Sequence, residues 1–355
     1  MPGKRLDSAD NTLDVLLFGA VGAGNATYQQ ALLENPPKQV TYHFPAGWKD
    51  FYRFSGFSFP GQPAQPRSIK VFPHTEWVSC PDVDLIHASS RFIVSAIPTV
   101  LSMDGYDILS LAWAQSPFHG LVQRIQGLLA RSPNVKQLMP HTKWAFKELA
   151  NRLPYPEEKM TLVHPMVRPQ PQSIPDNPVP VILFVGNNFE RKGGRCLLEA
   201  FKGFGEKNRA KLVVAGLMHD AEKIRYEFAG VKNLELRPYV QDRPALLGLY
   251  RQADFFCLPT LADAGPYAVL EALSFGLPVI SSRMCAIPEM VEEGREGFLT
   301  EPGDVPGLRN ALEALLADAQ KRRRMGRAAL EKIQANYSPE AVQPILRRVY
   351  AEAVQ

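Results

Sequence analysis

Two stretches in the second half of the chain place glycine, charge and a helix start close together. Phe184–Gly194 reads F-V-G-N-N-F-E-R-K-G-G. An apolar run ends at Gly186, and the adjacent cations Arg191 and Lys192 precede two glycines and a helical segment. Cations at the mouth of a strand-loop-helix turn suit a diphosphate, because helix-end N–H groups and side-chain charge act on the same anion. A solvated Arg-Lys pair opening a helix is the alternative, although cations are misplaced at that end of the dipole.

The second stretch, Asp263–Glu271, reads D-A-G-P-Y-A-V-L-E. It follows the apolar Phe255–Leu258 and opens a helix near Pro266 or Tyr267. Asp263 then lies in the loop above the helix N-terminus, and Glu271 about one turn inside. Carboxylates are good partners for vicinal sugar hydroxyls, since each oxygen accepts more than one hydrogen bond. Taken alone, Asp263 reads equally as an ordinary acid beside a helix start.

These segments need a scaffold, and the periodicity supplies one. Asp14–Gly19, Asp84–His87, Thr99–Met103 and, more weakly, Lys136–Met139 read as buried strands. Helices are expected over Tyr28–Leu33 and over Thr142–Arg152, with Thr142 as N-cap. Prolines 165, 169, 171, 175, 178 and 180 then interrupt the pattern, which places an interdomain linker near residues 171–178. Beyond it, strands at Val179–Val185, Lys211–Ala215, Leu234–Pro238, Ala253–Leu258 and Pro278–Ser281 alternate with helices at Gly193–Phe204, Arg243–Arg251, Tyr267–Phe275 and Pro306–Ala317. Near-continuous apolar strands alternating with helices imply parallel sheets covered on both faces, and ligands bind such sheets outside the carboxyl ends of their strands.

Length and composition agree with two soluble domains: 355 residues, 45% hydrophobic and 21% charged. The net charge of +4 is spread over both halves, which argues against a nucleic-acid-binding face. Four cysteines (80, 196, 257, 285) without a C-x-x-C pair predict neither a zinc cage nor a disulfide framework, and a reducing cytoplasm. The polar start from Met1 to Thr12 predicts no secretory leader, and no apolar run is long enough to span a bilayer. The histidines lack metal-ligand spacing, so no metal is expected.

Together the two stretches resemble family 4 of the retaining glycosyltransferases, whose fold is GT-B. Gly186 to Gly193 matches that family's G-x-x-x-x-R-K-G loop, and D-A-G-P-Y-A-V-L-E-A matches its E-x7-E motif. Gly276-Leu277-Pro278-Val279-Ile280 and Gly297-Phe298-Leu299 fit as well, so the likeness runs across Val179–Ala335. In the first half it rests on Asp84–Ala88, Lys143–Leu149 and Glu158–Met160.

The resemblance implies two Rossmann-like α/β domains facing each other across a cleft. Residues 1–172 would form the acceptor domain and 173–338 the donor domain, with a last helix over 339–355 packing back on the first. Arg191 and Lys192 would hold the donor diphosphate and stabilise it as it leaves. Glu271 would bind ribose hydroxyls, and the Val269 and Leu270 N–H groups would face the phosphates, with Gly265, Tyr267 and Ala268 at the same helix entrance. The base would lie near Arg237–Val240. A Gly22-Ala23-Gly24 loop would approach phosphate and sugar in the place of the family's Gly-Gly. Two departures matter. Asp263 replaces the first Glu of the motif, which contacts the transferred sugar. Asp104 stands where relatives have a His, close to donor sugar and acceptor hydroxyl; an ordinary turn aspartate before Gly105 is the alternative. His87 reads either as a residue near the cleft or, preferred here, as a packed strand-end histidine.

The function implied is glycosyl transfer with retention, from a nucleotide-sugar to a saccharide or lipid-linked acceptor in glycan or cell-envelope polysaccharide biosynthesis. A sugar-nucleotide epimerase, a phosphorylase or a non-catalytic nucleotide-sugar-binding protein are the alternatives. Residues 108–147 carry no acid but five cations, Arg124, Arg131, Lys136, Lys143 and Lys147. Leu121, Ile125, Leu128 and Leu129 form a helical stripe there, after Trp113 and Phe118. Such a face could meet an anionic acceptor or rest weakly on the inner face of the cytoplasmic membrane; packing of the stripe on its own sheet is the other reading.

Overall fold

The computed structural model describes residues 12–19, 23–45, 62–72, 75–89, 91–104, 119–153, 155–170, 175, 177–204, 209–216, 221–238, 240 and 242–355. The chain divides into two compact units. The N-terminal one runs to Met166 and takes in Pro339–Gln355; the C-terminal one covers Val167–Ser338. Val167 to Gln170 therefore pack with the second unit, ahead of the division expected from the prolines. The Val167 N–H donates to the Tyr337 carbonyl and that of Gln170 to the Ser274 carbonyl, at 2.8 and 2.7 Å.

In the N-terminal unit, strands β1 (Leu13–Gly19), β2 (Val40–Pro45), β3 (Gln62–Ala64), β6 (Leu85–Ser89), β8 (Thr99–Met103) and β9 (Val135–Pro140) form one parallel sheet in the order β3-β2-β1-β6-β8-β9. A small second sheet joins β4 (Arg67–Phe72), β5 (Thr75–Ser79) and β7 (Phe92–Val94). Helices α1 (Ala23–Glu34), α2 (His119–Ala130) and α3 (Lys143–Arg152) belong to this unit. Thr142 caps α3, its hydroxyl accepting from the Ala145 N–H at 3.0 Å, which contributes about 1 kcal/mol.

The C-terminal unit repeats the plan with β10 (Val181–Val185), β11 (Lys211–Gly216), β12 (Leu234–Pro238), β13 (Phe255–Leu258), β14 (Val279–Ser282) and β15 (Gly297–Thr300), all parallel, in the order β12-β11-β10-β13-β14-β15. Its helices are α4 (Gly194–Phe201), α5 (Ala221–Glu227), α6 (Arg243–Gln252), α7 (Tyr267–Ser274), α8 (Ile287–Met290), α9 (Val305–Ala317) and α10 (Ala319–Asn336). In each unit the strand order counts 3-2-1-4-5-6, the doubly wound arrangement. The order in which strands are added reverses between the first and fourth strands, β10 and β13 in the C-terminal unit, and the loops leaving those two strands flank one crevice.

The central strands β10 and β13 are apolar throughout because helices cover both faces. Phe184, Phe255, Phe256, Leu197, Leu270 and Ile280 are all buried. Each such side chain contributes on the order of 2 kcal/mol by leaving water. The last helix, α11 (Pro339–Ala353), is registered on the N-terminal sheet by a buried polar chain. Its Tyr350 hydroxyl lies 2.6 Å from His87 Nδ1 and 3.0 Å from the Tyr42 hydroxyl, and Tyr28 closes the chain at 3.3 Å from His87 Nε2. His87 is thus a packed core residue. Burial, and then the nearby His141, push its pKa down to about 3, so its ring is neutral and can both donate and accept.

Candidate functional site

The loop after β10 and the loop after β13 meet at the crevice, and backbone bonds clip them together. The Arg191 carbonyl accepts from the Leu261 N–H at 2.9 Å and from the Thr260 hydroxyl at 3.3 Å. Gly193 makes this approach feasible. Its φ is +75°, and a Cβ there would stand 1.8 Å from the Pro259 carbonyl oxygen. Gly186 is less tightly placed: a Cβ on it would come within 3.1 Å of Lys192 Cβ and Cγ. The first glycine of the loop therefore leaves room for the lysine stem, and the last lets the loop touch the strand-end segment.

The charged groups converge on Asp263. The Lys192 ammonium donates to Asp263 Oδ2, and Arg191 Nη1 lies 3.6 Å from the same oxygen. Arg191 Nη1 also donates to the Ala262 carbonyl at 2.5 Å. Lys192 and Asp263 are nearly buried, with side chains 10% and 13% exposed, whereas Arg191 keeps 43%. Burial and the adjacent guanidinium push Lys192 down to about 7, and the Asp263 carboxylate against it favours the protonated form. Burial also lowers Arg191.

Glu271 sits inside α7 and is buried. Arg243 donates to its Oε1 and the Tyr250 hydroxyl to its Oε2, the latter at 3.0 Å. Both partners come from α6. Asp242 caps that helix by accepting from the Ala245 N–H at 2.8 Å, which puts Arg243 on its first turn. Tyr250 is fixed by stacking on Phe275, with ring centroids 5.5 Å apart and planes 7° apart. Burial alone would lower Arg243, and the Glu271 charge more than offsets this, so Arg243 is raised. Two hydrogen bonds leave a carboxylate with capacity for vicinal hydroxyls.

The amides at the N-terminus of α7 are placed by its cap at Pro266. The Val269 N–H, expected to face phosphates, donates to the Pro266 carbonyl at 3.0 Å. With Pro266 as N-cap, the Leu270 amide falls at the first position with an i−4 carbonyl. The amides that open the helix ahead of that point are those of Tyr267 and Ala268. Gly265 lies beside them, against the end of the Met290 side chain: a Cβ there would meet Met290 Cε at 2.9 Å. Val240 is half-buried between β12 and α6, while Arg237 is exposed and pairs with Glu235.

In the N-terminal unit, Gly22 lies outside the described residues, as do Gly105, Trp113 and Phe118. Ala23 and Gly24 already belong to α1, where a loop was expected. Asp104 is half-exposed just past β8 and has a partner that periodicity did not single out. His141 Nδ1, just past β9, lies 2.7 Å from Asp104 Oδ1. The parallel register ends at Met103 opposite Pro140, so these two residues are the next pair along the edge, at the carboxyl ends of their strands. His141 is buried against the Tyr28 ring, centroids 4.5 Å apart. Its Nε2 has no hydrogen-bond partner among the described residues. On α2, Ile125 and Leu129 are half-buried but Leu128 is 71% exposed, so the predicted stripe is not packed along its whole length. No helix among the described residues is long and apolar enough to cross a membrane.

Residues 169–332 match the family model described as glycosyl transferases group 1. That match lies within the C-terminal unit and takes in a little under half of the chain. Among curated relatives, phosphatidyl-myo-inositol mannosyltransferase of Mycobacterium leprae is 31% identical over 173 residues, 48% of this chain and 46% of that one. N-acetyl-alpha-D-glucosaminyl L-malate synthase of Bacillus anthracis is 26% identical over 182 residues, 49% of this chain and 46% of that one. The matched stretches thus span about half the length of these relatives. Among solved structures, Anabaena Alr3699/HepE in complex with UDP-glucose superposes with a TM-score of 0.72 at 15% identity, over 96% of this chain and 100% of that one. Together with the two doubly wound sheets, that likeness establishes the GT-B fold.

Proposed function

We propose that this chain is a glycosyltransferase that moves a sugar, with retention, from a nucleoside-diphosphate sugar to a saccharide or lipid-linked acceptor in glycan or cell-envelope biosynthesis. The observation that carries the reading is the meeting of Arg191, Lys192, Asp263 and the start of α7 at the switch point of the C-terminal sheet. As the bond from the anomeric carbon to the diphosphate breaks, negative charge grows on the leaving phosphate and positive charge on the sugar ring. Arg191, Lys192 and the helix end meet the first without a metal, and such preorganised donors contribute several kcal/mol. Glu271 holds ribose hydroxyls while Arg243 and Tyr250 keep it in place. Asp263 and Asp104 are the carboxylates for the transferred sugar and the acceptor side.

A UDP-linked donor is the first to try, since Alr3699/HepE was crystallised with UDP-glucose. A lipid-linked acceptor and a peripheral membrane position draw support from the name of the Mycobacterium leprae relative and from the exposed Leu128 between exposed Arg124 and Arg131. A thermal-shift screen with UDP, GDP, ADP and their sugars tests the donor reading, because a ligand stabilises by RT ln(1 + [L]/Kd). A shift with one base only names the donor. No shift at millimolar concentration of any of them removes the reading.

A further inference from the structure

The two cations assigned to the donor diphosphate already have an anion. Lys192 is bound to Asp263, and Arg191 lies 3.6 Å from the same oxygen and donates to the neighbouring Ala262 carbonyl. We propose that Asp263 is a built-in counter-ion that occupies the cation pair until the donor arrives, and that its displacement makes the site prefer the nucleotide-sugar over the bare nucleoside diphosphate. This rests on the donor-site reading above.

The structure indicates which partner must move. Lys192 is held at its backbone by the bond from its N–H to the Asn188 carbonyl at 2.9 Å, and along its stem by Gly186. Gly193, in its left-handed conformation beneath Pro259, prevents the loop from sliding. Asp263 instead lies between the exposed Leu261-Ala262 pair and Ala264, whose carbonyl is bound by the Ala286 N–H at 2.9 Å. Rotation of one short side chain frees the ammonium, whereas withdrawal of Lys192 would require taking a clipped loop apart.

A diphosphate that takes Lys192 and Arg191 leaves Asp263 charged and nearly buried. A charge in that position is costly unless it regains hydrogen bonds. Sugar hydroxyls supply them, each donating to a carboxylate oxygen. The free nucleoside diphosphate brings no hydroxyl to that side and carries a more highly charged terminal phosphate, so it meets the carboxylate unrelieved. The same residue that contacts the sugar thus weakens retention of the product after transfer. It also accounts for an aspartate where the family motif has glutamate: the shorter arm holds the carboxylate back at Lys192.

Calorimetric titration of the whole chain with UDP and with UDP-glucose tests this, using the wild type, Asp263→Asn and Asp263→Ser, with circular dichroism to confirm folding. If the screen selects another base, its diphosphate and sugar replace the UDP pair. The expected result is UDP binding at least tenfold tighter in both variants, with a smaller gain or a loss for UDP-glucose, so that the preference for donor over product falls. Wild-type UDP binding with unchanged or weaker binding in both variants overturns the counter-ion role and leaves the donor site standing. Failure of the wild type to bind UDP, GDP or ADP overturns the donor-site reading and this proposal with it.

Discussion

Glu271 and Arg243 form an ion pair inside the C-terminal unit, joining the first turn of α6 to the interior of α7, with Tyr250 on the second carboxylate oxygen. On the proposed reading the carboxylate has two tasks, as a nucleotide contact and as the counter-charge of a mostly buried guanidinium. Glu271→Ala should lose nucleoside-diphosphate affinity by more than tenfold and also destabilise its unit by about 3 kcal/mol, the cost of leaving a buried charge unpaired. Glu271→Ala with Arg243→Ala should recover much of the stability and none of the affinity. Denaturant melts and calorimetry on the three proteins separate the two tasks. Recovery of binding in the double variant would show that Glu271 touches no nucleotide.

Arg191→Ala and Lys192→Ala should each reduce sugar transfer a hundredfold or more, about 3 kcal/mol of transition-state stabilisation, with the fold intact. The loss should fall mainly on kcat, because the charge they meet grows as the leaving group departs. Wild-type turnover in either variant would remove the diphosphate assignment.

The position of Lys192 implies a dependence on pH. Burial and Arg191 bring its pKa to about 7 without ligand, and a bound diphosphate selects the protonated form. Affinity for UDP should therefore fall as pH rises above about 7, with net proton uptake on binding at pH 8. Titrations in buffers of different ionisation enthalpy measure that proton directly. Lys192→Arg should abolish the uptake. An equal uptake in that variant would place the titration on another group.

Much of this site was legible from local sequence. Gly186 to Gly194 and Asp263 to Glu271 are contiguous runs in which glycines, charges and a helix start fall at fixed offsets, and short-range geometry fixes what they can do. The partners were not legible. Arg243, Tyr250 and His141 reach their carboxylates across 28, 21 and 37 residues, and no local pattern encodes those contacts. His141 could have been found by one rule, that residues just past adjacent parallel strands lie side by side. The fold shows the same division. Long apolar strands such as Val181–Val185 were evident, and Thr142 was evident as a cap. Helix α10 escaped because A-Q-K-R-R-R-M-G-R-A-A-L-E-K-I-Q-A-N buries only a thin face, chiefly Met325, Ala329 and Ile333. Strands β3 to β5 are short or polar and carry no clear period, whereas β2, V-T-Y-H-F-P, alternates buried and half-buried residues and was legible by that period.

His87 predicts an acid sensitivity of the N-terminal unit. Its folded pKa of about 3 lies below the ordinary 6.5, so the unfolded chain binds the proton first as pH falls. Stability from this residue is complete above about pH 6.5 and declines toward pH 3, by about 2 kcal/mol on reaching pH 5. His87→Gln should be less stable at pH 7.5, having lost the Tyr350 contact, but its melting midpoint should drop less between pH 7 and 5. Parallel slopes in the two proteins would assign the acid effect elsewhere.

The last prediction concerns α2. Arg124 and Leu128 share one side of the helix at i, i+4 spacing, both are exposed, and Arg131 is exposed just past its end. An apolar side chain between two guanidinium groups has the composition of a surface that sits in the headgroup region of anionic lipid. Sedimentation with phosphatidylglycerol vesicles at low salt should carry the protein down, and raising the salt to a few hundred millimolar should release most of it. Arg124→Glu with Arg131→Glu should abolish sedimentation, whereas Leu128→Ser should reduce it without changing the salt dependence, because it removes buried area and no charge. These changes should leave UDP affinity untouched, since α2 lies in the other unit from the donor residues. No sedimentation at low salt would remove the lipid surface and leave a soluble anionic acceptor as the use of the charge.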